Sequence, residues 1–164
     1  MHPLLQMGAN ITLTNLREVS NEPVCDINVK YSKLKAINVS SDIVPRMVDE
    51  IPVFVLVATQ AEGITRISGA KELRLKESDR IFAIASQFKK LGVQVESLED
   101  GFIINGSSSL HLTGTLLDSF EDHRVAMTLA IASLIARGET IVKDSNCVNT
   151  SFPGFYEVLK NICK

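Results

Sequence analysis

The sequence predicts an α/β fold with its helices inside and half-exposed sheets around them. Three observations carry that prediction. Two segments, Ile51 to Ala58 and Val125 to Ala136, are apolar nearly all round, as a helix buried on every side must be. The strand-like segments instead alternate, as in Ile64/Arg66, Val93/Gln94/Val95/Glu96 and Ile11/Thr12/Leu13/Thr14, so each keeps one wet face. Finally, the pattern repeats. Each apolar segment leads to a glycine suited to a left-handed helix end (Gly63, Gly138), then a short strand. A second helix follows at similar distance, near Ser78 and near Pro153, and the two copies are offset by about 75 residues.

The elements follow in order. A short helix stops at Gly8, and alternation places a strand pair near 9–15 and 24–30. Asp49, in Val48-Asp49-Glu50-Ile51-Pro52, is placed to cap a helix over about 50–62, with Pro52 suited to its first turn. A strand near 64–68 precedes a helix over 78–91, whose Ile81, Ile84, Ala85, Phe88 and Leu91 share one face. A hairpin spans 93–105 and turns near Asp100-Gly101. A strand near 110–113, a helix over 123–137 capped by Asp122, a strand at 139–143 and a helix at 153–163 complete the chain. Leu91-Gly92-Val93-Gln94-Val95 echoes Met7-Gly8-Ala9-Asn10-Ile11. The later copy has a full helix before its glycine and the earlier one barely two turns, so the chain reads as entering inside a helix, as a piece of a longer protein.

Composition narrows the function. The 164 residues are 45% hydrophobic and 22% charged, which excludes a disordered chain. Seventeen Lys+Arg against nineteen Asp+Glu leave a formal charge of −2, so no basic field holds a nucleic-acid backbone. Aromatics are only 5%, without Trp, which argues against a base-stacking surface. Cys25, Cys147 and Cys163 form no CxxC and have no ligand-spaced histidines, so neither a disulfide framework nor a zinc site is expected. No signal peptide or membrane-length apolar run occurs, and a cytoplasmic, membrane-free protein is the expectation.

The chemistry is concentrated in two clusters. In Lys71-Glu72-Leu73-Arg74-Leu75-Lys76-Glu77-Ser78-Asp79-Arg80, Lys76 and Arg80 stand at a helix start, where the helix dipole and free N–H groups favour anions. His123 and Arg124 repeat the anomaly behind Asp122. A cation in a first turn makes sense if an anion binds there or a carboxylate lies opposite. The plain alternatives are a solvated charge run, with Glu77 and Asp79 neutralising Lys76 and Arg80, and a structural His123 beside a surface ion pair. Asp49 is by plain reading an N-cap, yet a carboxylate at a helix entrance can also hold a hydroxyl and take its proton. Asp118 and Glu121 read as loop charges. No GxGxxG, Walker A, GxSxG or HExxH motif occurs.

Asp49-Glu50-Ile51-Pro52, Ala58-Thr59-Gln60-Ala61-Glu62-Gly63, Lys76-Glu77-Ser78-Asp79-Arg80 and Asp122-His123-Arg124-Val125-Ala126-Met127 together resemble the 5-enolpyruvylshikimate-3-phosphate synthase family. Ser151-Phe152-Pro153-Gly154-Phe155 resembles its C-terminal signature. The resemblance covers essentially the whole chain and corresponds to about the last two-fifths of the usual enzyme. It implies an inside-out α/β barrel of βαβαββ units, with about two units and the tail of a third in residues 1–164 and an N-terminal domain absent. The cell-wall enolpyruvyl transferase that acts on UDP-N-acetylglucosamine shares the fold but lacks the Lys-Glu-Ser-Asp-Arg and Asp-His-Arg pair, and is the minor alternative.

The implied reaction transfers the carboxyvinyl group of phosphoenolpyruvate to the 5-hydroxyl of shikimate 3-phosphate and releases phosphate, without metal or organic cofactor. By resemblance, Asp49 holds the reacting hydroxyl and accepts its proton, Lys76 contacts substrate, and Glu77 manages the proton at the methylene. Arg80 and Arg124 clamp the phosphoenolpyruvate anion with His123 close by, and glyphosate is a candidate inhibitor. Thr150 stands near where many relatives carry Lys, and Glu72 where some carry an amide. Since the family binds its substrates between two domains, this chain is expected to be inactive by itself. The reading from another class is a non-catalytic ligand-binding or assembly module that completes its barrel with a partner chain.

Overall fold

The structure, a computed structural model, describes residues 1–163. Its elements are α1 (His2–Gln6), β1 (Asn10–Val19), β2 (Glu22–Lys30), β3 (Asn38–Val39), α2 (Ile51–Thr59), β4 (Gly63–Ile67), α3 (Arg80–Lys90), β5 (Gln94–Leu98), β6 (Gly101–Gly106), β7 (Leu112–Thr113), β8 (Leu116–Asp118), α4 (His123–Ser133), β9 (Ala136–Arg137), β10 (Ile141–Lys143) and α5 (Phe155–Ile162). Short 3₁₀ turns at 44–46, 48–50, 71–75 and 145–150 join them.

The repeat read from the sequence is a real crossover. β3 runs parallel to β4 around α2, and β8 runs parallel to β10 around α4. The β3-α2-β4-α3-β5-β6 run is one complete βαβαββ unit, its sheet ordered β3-β4-β6-β5. Before it lies an α1-β1-β2 portion of the same pattern, and after it a β8-α4-β10-α5 portion. Helices occupy the centre. Ile51, Phe54, Val55, Leu56 and Ala58 of α2 and Val125, Ala126, Leu129 and Ala132 of α4 are buried, and α2 packs on α4. In β4, Thr65 and Ile67 face this core while Ile64 and Arg66 face out. Burying side chains such as Phe88, Phe102, Ile81 and Ile84 contributes about 1.5–3 kcal/mol each.

Four expectations change in detail. The apolar helices are shorter: α2 ends at Thr59 and α4 at Ser133, so Gly63 and Gly138 are not helix-ending residues. Beyond α4, Ala136 and Arg137 leave the helix to pair with Leu112 and Thr113, and this strand bridge wins over helix propensity. The left-handed helix end does occur at Gly8 (φ 89°) and Gly92 (φ 90°), the two glycines at which the sequence ends its other helices. There Ala9 N–H donates to Leu4 C=O and Val93 N–H to Phe88 C=O, closing two Schellman motifs. The first hairpin runs to Val19 because Ser20 and Asn21 both take left-handed φ in a tight turn, a signal the strand boundaries missed. Its faces are largely exposed, including Leu16, Ile27 and Val29.

No helix among the described residues is long and apolar enough to cross a membrane. The three cysteines are free: Cys25 and Cys147 are half-buried and Cys163 is exposed.

Candidate active site

Three chain segments converge where α3 and α4 begin. The turn at 48–50 brings Asp49, the stretch entering α3 brings Lys76, Glu77 and Arg80, and the start of α4 brings His123 and Arg124. All six residues singled out from the sequence share one connected surface.

Arg80 is its centre. It opens α3, yet its side chain is only 2% exposed. Nε donates to Asp122 Oδ2 at 2.8 Å, Nη1 to Asp49 Oδ1 at 3.0 Å and Nη2 to Glu77 Oε2 at 2.7 Å. The cation in the first turn is therefore matched by carboxylates opposite it, the second of the two explanations the sequence allowed. Burial pulls the guanidinium downward, but Asp122, Glu77 and Asp49 outweigh it and hold its pKa above the ordinary arginine value. Three of the five N–H donors of this buried guanidinium are thus committed to carboxylates. The expected neutralising partner Asp79 faces elsewhere: its Oδ1 caps α3 at Phe82 N–H, and its Oδ2 accepts Arg74 Nη1. Arg74 in turn donates to the carbonyls of Leu98 and Glu99, fastening the β5–β6 turn to the start of α3.

Asp49 does not cap α2; it sits within the preceding 3₁₀ turn, and Glu50 holds the cap position without a side-chain bond. That frees its carboxylate, 43% exposed, to face Arg80, Lys76 Nζ at 3.7 Å and Arg124 Nη2 at 4.0 Å. Burial pushes its carboxyl upward, but the Arg80 hydrogen bond and the charges of Lys76 and Arg124 prevail and hold it below the usual carboxylate range. Lys76 also pairs with Glu72 Oε1 at 2.8 Å; that bond leads its upward shift, burial opposes it, and Asp49 adds to it. Glu77 bridges Arg80 and His123, whose Nδ1 lies 3.6 Å from its Oε1. Arg124 is the loosely held cation, 36% exposed, with Glu50 and Asp49 no nearer than 3.9 Å.

Asp122 caps α4 as the sequence predicts, accepting from the N–H groups of Arg124 and Val125. The sequence did not reveal its second oxygen, which accepts from Arg80 and Ser78. Gln87 was also missed. It is buried on the apolar face of α3, where its Oε1 accepts the Asp118 N–H and holds β8 against the helix. A polar residue in line with Ile84, Phe88 and Leu91 was the available signal. Asp118 ends β8 rather than lying in a loop, and its Oδ1 accepts the Phe120 N–H. Thr150 closes a local turn, its Oγ1 donating to Cys147 C=O.

Five carboxylates (Asp49, Glu50, Glu72, Glu77, Asp122) thus meet three cations (Lys76, Arg80, Arg124). Such a surface can hold a hydroxyl, move protons and offer one loosely paired arginine, but it has no cation surplus for a multiply charged anion.

A family model described as EPSP synthase (3-phosphoshikimate 1-carboxyvinyltransferase) matches residues 2–159. A 3-phosphoshikimate 1-carboxyvinyltransferase of Endomicrobium trichonymphae is 74% identical over 161 residues, which are 98% of this chain and 37% of that protein. One from Thermodesulfovibrio yellowstonii is 52% identical over 162 residues, again 98% of this chain and 37% of the relative. The chain therefore spans just over a third of the length of the curated relatives it matches. Among solved structures, an EPSP synthase of Acinetobacter baumannii superposes with a TM-score of 0.91 at 40% identity, covering 96% of this chain and 37% of that one. The enolpyruvyl transferase NikO of Streptomyces tendae, at TM-score 0.69 and 22% identity, covers 98% of this chain and 34% of its own, and is alike in fold.

Proposed function

The chain belongs to the EPSP synthase family, and from that premise we propose that it supplies one half of a carboxyvinyl-transfer site. The substrates are phosphoenolpyruvate and shikimate 3-phosphate, and the half-site works with an N-terminal domain that provides the rest. The observation that carries this reading is the meeting of Asp49, Lys76, Glu77, Arg80, His123 and Arg124 in one network of contacts no longer than 4.0 Å.

Asp49 accepts the 5-hydroxyl of shikimate 3-phosphate. Its depressed pKa keeps it ionised and makes it a weaker base than a free carboxylate, so it orients the hydroxyl first and takes the proton as the C–O bond forms. The oxygen adds to C2 of phosphoenolpyruvate while Glu77, with His123 beside it, delivers a proton to the methylene carbon. Phosphate then leaves with the electron pair of the C2–O bond as the new methyl returns a proton to Glu77, which restores the double bond, and the departing phosphate takes the hydroxyl proton from Asp49. Arg124 and Lys76 stabilise the carboxylate and departing phosphate, and Arg80 joins them when an anion displaces one of its carboxylate partners. Glyphosate, an anion, competes for those cations. The setting is cytoplasmic. With five carboxylates against three cations, substrate binding needs positive charge from the other domain, which leaves this chain silent when alone.

The test is a chimera in which this chain replaces the matching 161 residues of the Endomicrobium trichonymphae enzyme. Phosphate release requiring both substrates, reduced about 10²–10³-fold in Arg124→Ala, is the expected result. A folded chimera that turns over neither substrate refutes the proposal.

A further inference from the structure

We propose that Asp122 is a positioning residue that fixes the two cationic helix starts against each other; this deepens the reading of the site above and rests on it. Its side chain is fully buried, and four groups donate to it. Oδ1 accepts from the backbone of Arg124 at 2.9 Å and Val125 at 3.3 Å. Oδ2 accepts from Arg80 Nε at 2.8 Å and Ser78 Oγ at 3.0 Å. A helix cap needs only one oxygen. The other is committed to the opposite helix start, so one carboxylate ties the α4 backbone that carries His123 and Arg124 to the guanidinium that holds Asp49 and Glu77.

The backbone that delivers Asp122 supports this. Phe120 (φ 54°) and Glu121 (φ 57°) are consecutive non-glycine residues in the left-handed region, a conformation that L side chains adopt rarely. Asp118 Oδ1 and Ser119 Oγ hold them there, accepting the N–H groups of Phe120 and Glu121 at 2.7 and 3.2 Å. Strain kept in place by dedicated hydrogen bonds, directly before a buried carboxylate, fits a residue whose exact placement matters more than its cap.

The discriminating variant is Asp122→Asn, which keeps an oxygen for the α4 cap and removes the charged acceptor from Arg80 and Ser78. In the ¹⁵N-labelled chain, the Arg80 Nε–H is slow to exchange with solvent. In Asp122→Asn it becomes fast and the His123 ring resonances move, while the Arg124 and Val125 amides stay in place. In the chimera the same variant lowers kcat about 100-fold, the cost of a small misplacement of reacting groups. Unchanged Arg80 and His123 signals, or unchanged kcat, overturn the proposal and leave Asp122 a cap. If Asp122→Asn does not fold, Ser78→Ala decides: a smaller shift of the same signals supports the tie, and none refutes it. A native chimera without activity counts against the function, while the exchange measurement still decides the positioning.

Discussion

Arg80 and Arg124 are the same residue type at equivalent helix starts, yet their surroundings assign them opposite tasks. Arg80→Ala strands the fully buried Asp122 without its cation, and the chain loses about 3–5 kcal/mol in urea unfolding. Arg124→Ala, with partners at 3.9 and 4.0 Å, changes stability by no more than about 0.5 kcal/mol, although the chimera loses its turnover. Asp122 and Asp49 both have lowered pKa values in the folded chain, burial opposing and Arg80 prevailing. Each therefore contributes stability that is fully present above the unfolded carboxyl value, about 4, and lost as pH falls through the lower folded value. Unfolding free energy measured from pH 7 to pH 2 holds steady in this contribution until about pH 4 and then drops, with a smaller drop in Asp122→Asn. Arg80, His123 and Arg124 were legible because cations in a first turn conflict with the helix dipole, Asp49 because a carboxylate stands at a helix entrance, and Glu77 through the resemblance. Lys76 was read into the same first turn, but α3 begins only at Arg80 and Lys76 lies ahead of it in extended backbone. The neighbouring partner Glu77 was legible too, but not the rest of the pairing: the other two carboxylates that resolve the conflict for Arg80 lie 31 and 42 positions away, and only the fold brings them together.

At the level of elements, helix ends were harder to read than helix faces. The apolar periodicity of α3 and the closure of its last turn at Gly92 followed from local chemistry. Substituting Gly92 by Ala meets open space, with Thr113 Oγ1 at 4.0 Å, so its cost is that of a left-handed backbone alone, about 1–2 kcal/mol. Gly106 is different. A Cβ there runs into the carbonyl oxygens of Ala58 and Ala61, because the end of β6 lies directly against the end of α2. Gly106→Ala is therefore expected to lower the melting midpoint further than Gly92→Ala in paired thermal scans. The contact that demands Gly106 is long-range, as is the β7–β9 pairing that shortens α4, and neither leaves a mark on neighbouring residues in the sequence.

For the molecule as a whole, the inside-out layering was legible because it needs only two all-apolar helices and alternating strands. The exposure of the first hairpin was not, since alternation predicts a covered face and cannot say what covers it. That hairpin leaves Leu16, Ile27 and Val29 in water, and apolar side chains including Leu4, Ile11, Val57 and Ile135 line a cavity of about 400 Å³ beside it. The site likewise holds more carboxylates than cations. Both features fit a chain that spans 37% of its Endomicrobium trichonymphae relative. The most direct measurement is phosphate release from phosphoenolpyruvate and shikimate 3-phosphate, made with this chain alone and after mixing with the separately produced N-terminal domain of that relative. The account predicts no release from the chain alone and release on mixing that disappears with Arg124→Ala. Release by the chain alone, or none on mixing with a partner verified as folded, would contradict it.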